Sequence, residues 1–246
     1  MNPHNLMEIN SLNQRGGRML SIVDLIERKT ITLEIAAFIL NRVLNEESFL
    51  IVAKPGGAGK TAIQGAILGL IPDSEKIITI KNAKFLREIK KEQQKKEIDQ
   101  RTTYIAHEIG SGSWYGYLWG KAAAQFLRIR SKNIRIISNM HEDELPLIYK
   151  TFSNFGAPES DLNNFDNILR IRYNQKTGER IIDRIWRAEH GRHVQVFADG
   201  KIADLKNDSK ITVFRHFSLY VILFQEMVDD GIKRIENVHD FLYSRL

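Results

Sequence analysis

Gly56, Gly57, Gly59, Lys60 and Thr61 stand together in the run "FLIVAKPGGAGKTAIQGAILG". Glycines at such spacing let successive backbone N–H groups curl around phosphate oxygens. A helix that opens at Lys60-Thr61 adds the partial positive charge of its N-terminus. In a loop of this kind the lysine amine reaches the β- and γ-phosphates and the threonine hydroxyl holds Mg²⁺. The cofactors implied are ATP and Mg²⁺, with Pro55, Gly56, Gly57, Ala58, Gly59, Lys60, Thr61 and Ala62 as binding residues. The pattern G-x-x-x-x-G-K-[ST] is broken at its first position, where Lys54 replaces glycine. That glycine ends the strand and starts the turn. Pro55-Gly56 can make the same turn, so binding need not be lost.

Splitting a phosphoanhydride also needs a carboxylate near the metal and the attacking water, usually at the end of a neighbouring strand. "TYIAHEIGSG" offers Glu108, an acid that closes an apolar run just before a glycine turn. Glu108 is expected as the catalytic acid and, with Thr61, near the metal. His107 beside it reads as a packed core histidine. The next strand, "IRIISNMHED", ends in Ser138, Asn139 and His141. Carboxyl ends of parallel strands meet in one crevice where ligands bind, which makes His141 a candidate sensor of the γ-phosphate. Helix capping or plain exposure is the competing reading.

The elements that must position these residues follow from periodicity. "FLIVAK" (49–54) has the character of a buried strand, and "TAIQGAILGLI" reads as a helix. "KIITI", "TTYIAHE" and "IRIISN" are further strands. The charged "KFLREIKKEQQKKEIDQR" between the first two reads as an exposed helix, with Glu92 three and four residues before Lys95 and Lys96. Ahead of the core, residues 1–18 read as a peripheral lead, and two short helices follow, the second capped by Thr32. Beyond the core, "LPLIYKTFSNFG" is a helix ending at Gly156. "NILRIRYN" and "GERIIDRIWRA" form a hairpin around Gln175–Gly178, and two terminal helices break near Gly231. Helices alternating with short apolar strands predict an α/β fold with a mostly parallel sheet covered on both faces. The expected division is a linker with helices over 1–45 and a nucleotide-binding domain over 46–246.

Composition sets broad limits. The 246 residues are 43% apolar and 27% charged, enough for a sizeable core. There is no cysteine, so no disulfide or thiolate metal site is available. No apolar run approaches the ~18 residues of a membrane span, and the polar N-terminus has no signal-peptide pattern. The cytoplasm is the expected location. A formal charge of +6 suits an anionic partner. The locally basic "LRIRSKNIRI" and "LRIRYNQKTGERIIDRIWR" alternate apolar and charged residues as outward-facing strands do, so DNA is not favoured.

The order of "RGGRMLSIVDLIERKTITLEIAAFIL", the glycine loop, "YIAHEIGSG" and "IISNMHEDE" resembles the secretion ATPase superfamily. Its members are the motors of type II and type IV secretion, type IV pili and archaeal filaments. The resemblance spans roughly residues 13–190. It implies a RecA-like P-loop NTPase that hydrolyses ATP as a ring, possibly a hexamer, peripheral to a membrane-embedded assembly platform. By the same resemblance Lys60 and Thr61 match the loop lysine and hydroxyl, Glu108 the acid-motif glutamate, and His141 the histidine of a later box. Arg15 and Arg18 fall in the region of the linker arginines that approach nucleotide.

The departures are specific. Where the family has paired acids, this chain reads "ITIKNAK", with Lys81 and Asn82. The acid motif runs His107-Glu108-Ile109-Gly110, and "SKN" stands where the family has threonine-glycine-histidine. The family's large N-terminal domain has no counterpart in the roughly 45 residues before the core. Two functions stay open: an ATP-driven motor subunit, and an ATP-binding scaffold or regulator with little turnover. A small kinase fits less well, because no arginine-rich lid pattern lies between the later strands and the histidine box has no purpose there. Arg128 and Arg130 join the linker pair as candidates to complete a neighbouring site. The apolar "FSLYVILFQEMV" is expected to pack on the core, with a partner contact as the alternative.

Overall fold

The computed structural model describes residues 1–13, 16–95, 100–111, 116–198, 201–202 and 212–246; of 201–202 and 212–215 it describes the backbone alone. Arg15 and Lys96 lie outside the described residues.

Five parallel strands form the centre of the sheet: β1 (Phe49–Val52), β2 (Lys76–Thr79), β3 (Thr102–Ile105), β6 (Ile134–Met140) and β7 (Asn167–Tyr173). Two short pieces, β4 (Glu108–Ile109) and β5 (Tyr117–Leu118), pair with each other, and β4 also pairs with β6. The chain then turns back through antiparallel β8 (Arg180–Glu189), β9 (Arg192–Ala198) and β10 (Lys201–Ile202). The sheet order is β10-β9-β8-β7-β1-β6-β3-β2. β1 is flanked on both sides, by β6 and β7, and all four of its residues are buried. That is why it reads as an unbroken apolar run rather than an alternating one.

Among the described residues ten helices cover the two faces. On one side lie α1 (Pro3–Ser11), α2 (Ile22–Glu27), α3 (Leu33–Leu44), α4 (Lys60–Leu68), α9 (Thr212–Asp229) and α10 (Ile235–Tyr243). They share a single apolar cluster with Phe49 and Ile51 of β1. On the other side lie α5 (Ala83–Gln94), α6 (Lys121–Leu127), α7 (Leu145–Asn154) and α8 (Glu159–Leu162), packed with Leu50 and Val52. Period-two alternation along β1 thus feeds two separate cores. The α/β fold with a mostly parallel sheet covered on both faces is as expected. Thr32 caps α3 through its hydroxyl at 3.3 Å from the Ile35 N–H, and Gly156 and Gly231 take left-handed backbone after α7 and α9. Tyr220, Leu223, Phe224 and Met227 of the apolar terminal segment are buried against the core.

The first residues differ from expectation. They form α1, with Ile9 and Leu12 buried, docked along the edge strand β2. Asn5 donates from Nδ2 to the Glu75 carbonyl at 2.8 Å and accepts from the Ile77 N–H at 2.9 Å. Glu8 accepts from the Thr79 N–H at 3.2 Å and its hydroxyl at 2.6 Å. Side-chain amide and carboxylate groups therefore serve as the missing neighbour of an open sheet edge, which would otherwise expose a row of unpaired backbone groups. Polar residues on α1 read as surface in the sequence because their partners are backbone atoms some seventy positions away.

Candidate functional site

The phosphate loop leaves the carboxyl end of β1 and enters α4 at Gly59, whose φ is +95°. No side chain caps the helix there, so its first N–H groups are left for another acceptor. Gly57 also lies in the left-handed region, at φ +76°. Lys54 does not: its side chain is exposed, and the described non-glycine residues with positive φ are Lys29, Glu46 and His190. The position where the loop pattern wants glycine therefore makes no conformational demand that lysine fails to meet.

A cleft of about 430 Å³ opens above the loop. Its floor is Gly56 to Ala62 with Gln64; its far wall is His107, Glu108, Tyr117 and His141; and the segment Leu12 to Leu20 supplies described residues to the near wall. Pro55 lies just outside the lining, at the turn from β1. Thr61 is exposed on the first turn of α4.

Lys60 is buried, and its Nζ approaches two groups, the His141 ring and the Ala53 carbonyl. It lies 3.1 Å from His141 Nε2, 3.2 Å from Nδ1, and 3.5 Å from the Ala53 carbonyl. His141 Nδ1 is 3.1 Å from the Lys54 carbonyl, and Nε2 is 3.2 Å from Glu108 Oε2. The roles of the two ring nitrogens follow the tautomer: a bare Nε2 accepts from the Lys60 ammonium while Nδ1–H donates to the Lys54 carbonyl, whereas an Nε2–H donates to Glu108. Burial pushes the Lys60 amine down to about 8, and the Glu108 carboxylate pulls it back up. Burial, aided by Glu108, raises the Tyr117 phenol across the cleft. His107 is buried and held below its ordinary value by desolvation, in keeping with a packed histidine, although its side chain also reaches the cleft wall.

Beneath the cleft a polar relay ties α4 to the two neighbouring strands. Gln64 donates to the Ala106 carbonyl at 3.1 Å and accepts from Asn139 at 2.7 Å. Asn139 also donates to the His107 carbonyl at 3.1 Å. The helix that carries Lys60 is thus locked to the chain that carries Glu108. Gln64 has no signal in the sequence, since a polar residue one turn into an apolar helix reads as surface.

The acid itself is placed differently from expectation. The strand read as "TTYIAHE" ends at Ile105, and Glu108 opens the separate β4, held by Ile109 opposite Met140 of β6. A Cβ on Gly110 would lie 2.7 Å from Glu108 Oε1, so the carboxylate folds back over the space a side chain there would take. Among the described residues lining the cleft Glu108 is the single acid. Asn82, in the place of the family's paired acids, instead caps α5 through the Lys84 and Phe85 N–H groups at 3.0 and 3.1 Å.

The arginine candidates separate. Arg18 lines the cleft, but its guanidinium is paired with Asp24 at 2.6 and 2.5 Å, and this pairing raises its own pKa and lowers that of Asp24 despite burial. Arg128 pairs with Asp161 at 2.6 Å, and Arg130 with Asp166 at 3.4 Å, both before the amino end of β6 and away from the cleft. Arg180 was missed: its Nε donates to the Gly57 carbonyl of the phosphate loop at 3.2 Å.

The residues fit a phosphate group: a glycine loop with left-handed turns, an uncapped helix start and one buried lysine amine converge on one cleft. Among the described residues no group of three or more His, Asp or Glu could hold a metal ion by itself.

No protein-family model matches the chain, and no curated protein matches it. Among solved structures, the VirB11 ATPase from the Brucella suis type IV secretion system, in complex with sulphate, aligns at TM-score 0.46 and 16% identity. The alignment covers 66% of this chain and 55% of that one, so this chain matches about half of that structure's length. A likeness at that level identifies nothing about the chemistry. Among the described residues no helix is long and apolar enough to cross a membrane.

Proposed function

We propose that the chain binds ATP with Mg²⁺ and hydrolyses it, as a motor subunit of the kind that secretion and pilus ATPases represent. The observation that carries this reading is the meeting of the Gly56–Thr61 loop, Glu108 and His141 around one cleft at the carboxyl ends of β1, β3 and β6. In it, Lys60 neutralises the β- and γ-phosphates and Thr61 contributes its hydroxyl to the metal. Mg²⁺ supplies charge neutralisation for the phosphate oxygens. Glu108 orients the attacking water and takes up its proton. His141, between Lys60 and Glu108, reports whether the γ-phosphate is present. Ring assembly and docking to a membrane platform in the cytoplasm belong to the same proposal. They rest on the resemblance of the sequence motifs.

The second reading, an ATP-dependent scaffold with little turnover, draws on the single acid of the described cleft lining. Without a partner carboxylate, positioning of water rests on Glu108 alone. Both readings require binding, and calorimetric titration with ATP and Mg²⁺ tests it. Lys60→Ala is expected to abolish a heat signal that the wild-type chain gives; equal binding by the two would reject the proposed site.

A further inference from the structure

The hairpin joining β7 to β8 reaches across the sheet to the phosphate loop. Its tip is pre-shaped: Asn174 Oδ1 accepts from the Lys176 N–H at 3.0 Å, the Gly178 N–H donates to the Asn174 carbonyl at 2.8 Å, and Gly178 has φ +76°. Arg180, first residue of β8, is held there twice over. Its Nη1 donates to the Gly178 carbonyl at 2.8 Å, and its guanidinium carbon lies 4.3 Å from the centre of the Tyr173 ring. From this fixed post Nε donates to the Gly57 carbonyl at 3.2 Å, bridging residues 123 positions apart. The Arg180 stem also abuts the loop, since a Cβ on Gly59 would lie 3.3 Å from its Cδ.

Arg180 is not among the lining residues of the cleft, so the Gly57 carbonyl that it holds is drawn away from the cleft. The direction matters because a trans peptide is planar, with its C=O and N–H pointing opposite ways. Among the described residues there is no cis peptide bond. Holding the Gly57 carbonyl outward therefore turns the Ala58 N–H inward, and Ala58 is a lining residue of the cleft. A glycine on the amino side of that peptide lets it flip with little steric penalty, so its orientation needs an external partner.

We propose that Arg180 is a positioning residue of the nucleotide site: it fixes the Gly57–Ala58 peptide so that the Ala58 N–H is presented to phosphate. The proposal rests on the nucleotide-binding reading above. Removing the guanidinium frees the peptide and leaves the cleft's other lining side chains in place.

The test is titration of ATP and ADP, each with Mg²⁺, into the full chain and its variants, with melting temperature measured without nucleotide. Arg180→Ala is expected to weaken binding roughly 10- to 100-fold, the affinity equivalent of one charge-assisted hydrogen bond, with the nucleotide-free melting temperature nearly unchanged. Arg172→Ala, which removes an equal charge from the same hairpin, is expected to bind within about twofold of wild type. Arg180→Lys keeps charge and stem but not the fork that serves two carbonyls at once, so it is expected to recover at most part of the loss. It also serves if the alanine variant folds poorly. Wild-type affinity in Arg180→Lys, or in a folded Arg180→Ala, while Lys60→Ala still abolishes binding, would overturn the role of Arg180 and leave the site standing. A wild-type chain that binds neither nucleotide would overturn both.

Discussion

The Lys60 ammonium and the His141 imidazole are joined at 3.1 Å, across 81 residues of sequence. The same ring links Lys60 to the Glu108 carboxylate at 3.2 Å and to the Lys54 carbonyl at 3.1 Å. The loop lysine, a candidate water-positioning acid and the start of the glycine loop therefore meet at one imidazole. Under the proposed function, a phosphate that takes the Lys60 ammonium would compete with His141 for it, and the ring would then follow the state of the γ-phosphate.

His141→Ala is accordingly expected to leave ATP affinity within about fivefold, because Lys60 keeps its position on α4 and loses a competitor. Phosphate release is expected to fall on the order of 10- to 100-fold, within the usual range for a lost positioning or acid–base group. Calorimetry and single-turnover phosphate release separate the two effects. Equal losses in both would make His141 a binding residue only.

Burying the Lys60 amine costs stability at neutral pH. Below pH about 8 the amine is charged in both folded and unfolded chains, and the folded chain bears the desolvation. Between about 8 and its ordinary 10.5 the folded chain releases the proton first, so stability rises with pH through that window. Lys60→Met is expected to be more stable than wild type by about 2 kcal/mol at pH 7, the gain shrinking towards pH 10. Urea unfolding at several pH values measures this. A less stable Lys60→Met at pH 7 would contradict it.

Gly110→Ala and Gly59→Ala should fail differently. At Gly110 the added Cβ meets the end of the Glu108 side chain at 2.7 Å, a flexible group that can swing away. The fold should tolerate it, with ATP affinity retained and phosphate release reduced about tenfold or more, as for a misplaced catalytic group. At Gly59 the backbone itself is left-handed at φ +95°, which costs a non-glycine residue roughly 1–2 kcal/mol, and Arg180 crowds the new atom. That variant should lose affinity. Thermal melts, titrations and phosphate release on the pair distinguish a displaced acid from a distorted loop.

At the opposite end of the sheet Arg135 and Glu75 form a fully buried pair, Nη2 to Oε2 at 2.6 Å and Nε to Oε1 at 3.0 Å. Thr103 donates its hydroxyl to the same carboxylate. Glu75→Ala should strand the guanidinium and destabilise the chain by about 3–5 kcal/mol, while the Glu75→Ala, Arg135→Met double variant should recover most of it. Denaturant unfolding of the two checks the claim; an equally unstable double variant would show that the pair does more than neutralise itself.

The parts legible in the sequence were those set by local pattern. β1 was an apolar run of the right length, and the glycine loop announced its own turn. Thr32, Gly156 and Gly231 marked helix ends by chemistry that acts within a few residues. What escaped was set by distant partners. Asn5 and Glu8 pair with backbone beyond residue 74, so α1 looked like a loose lead. Arg180 was one of several arginines in an alternating hairpin, and only the fold of the sheet brings it to Gly57. Gln64 and Asn139 are ordinary polar residues until the sheet sets them side by side. Lys54, which breaks the loop pattern, meets His141 through its carbonyl while its side chain is exposed.

The most direct test of the account is Mg²⁺-dependent phosphate release from ATP by the wild-type chain and by Glu108→Gln, with ATP binding measured on both. The account predicts release by wild type, its near loss in Glu108→Gln, and binding by each. Binding by wild type without any release would contradict hydrolysis by this chain and leave the nucleotide-dependent scaffold; release undiminished in Glu108→Gln would contradict the role given to Glu108.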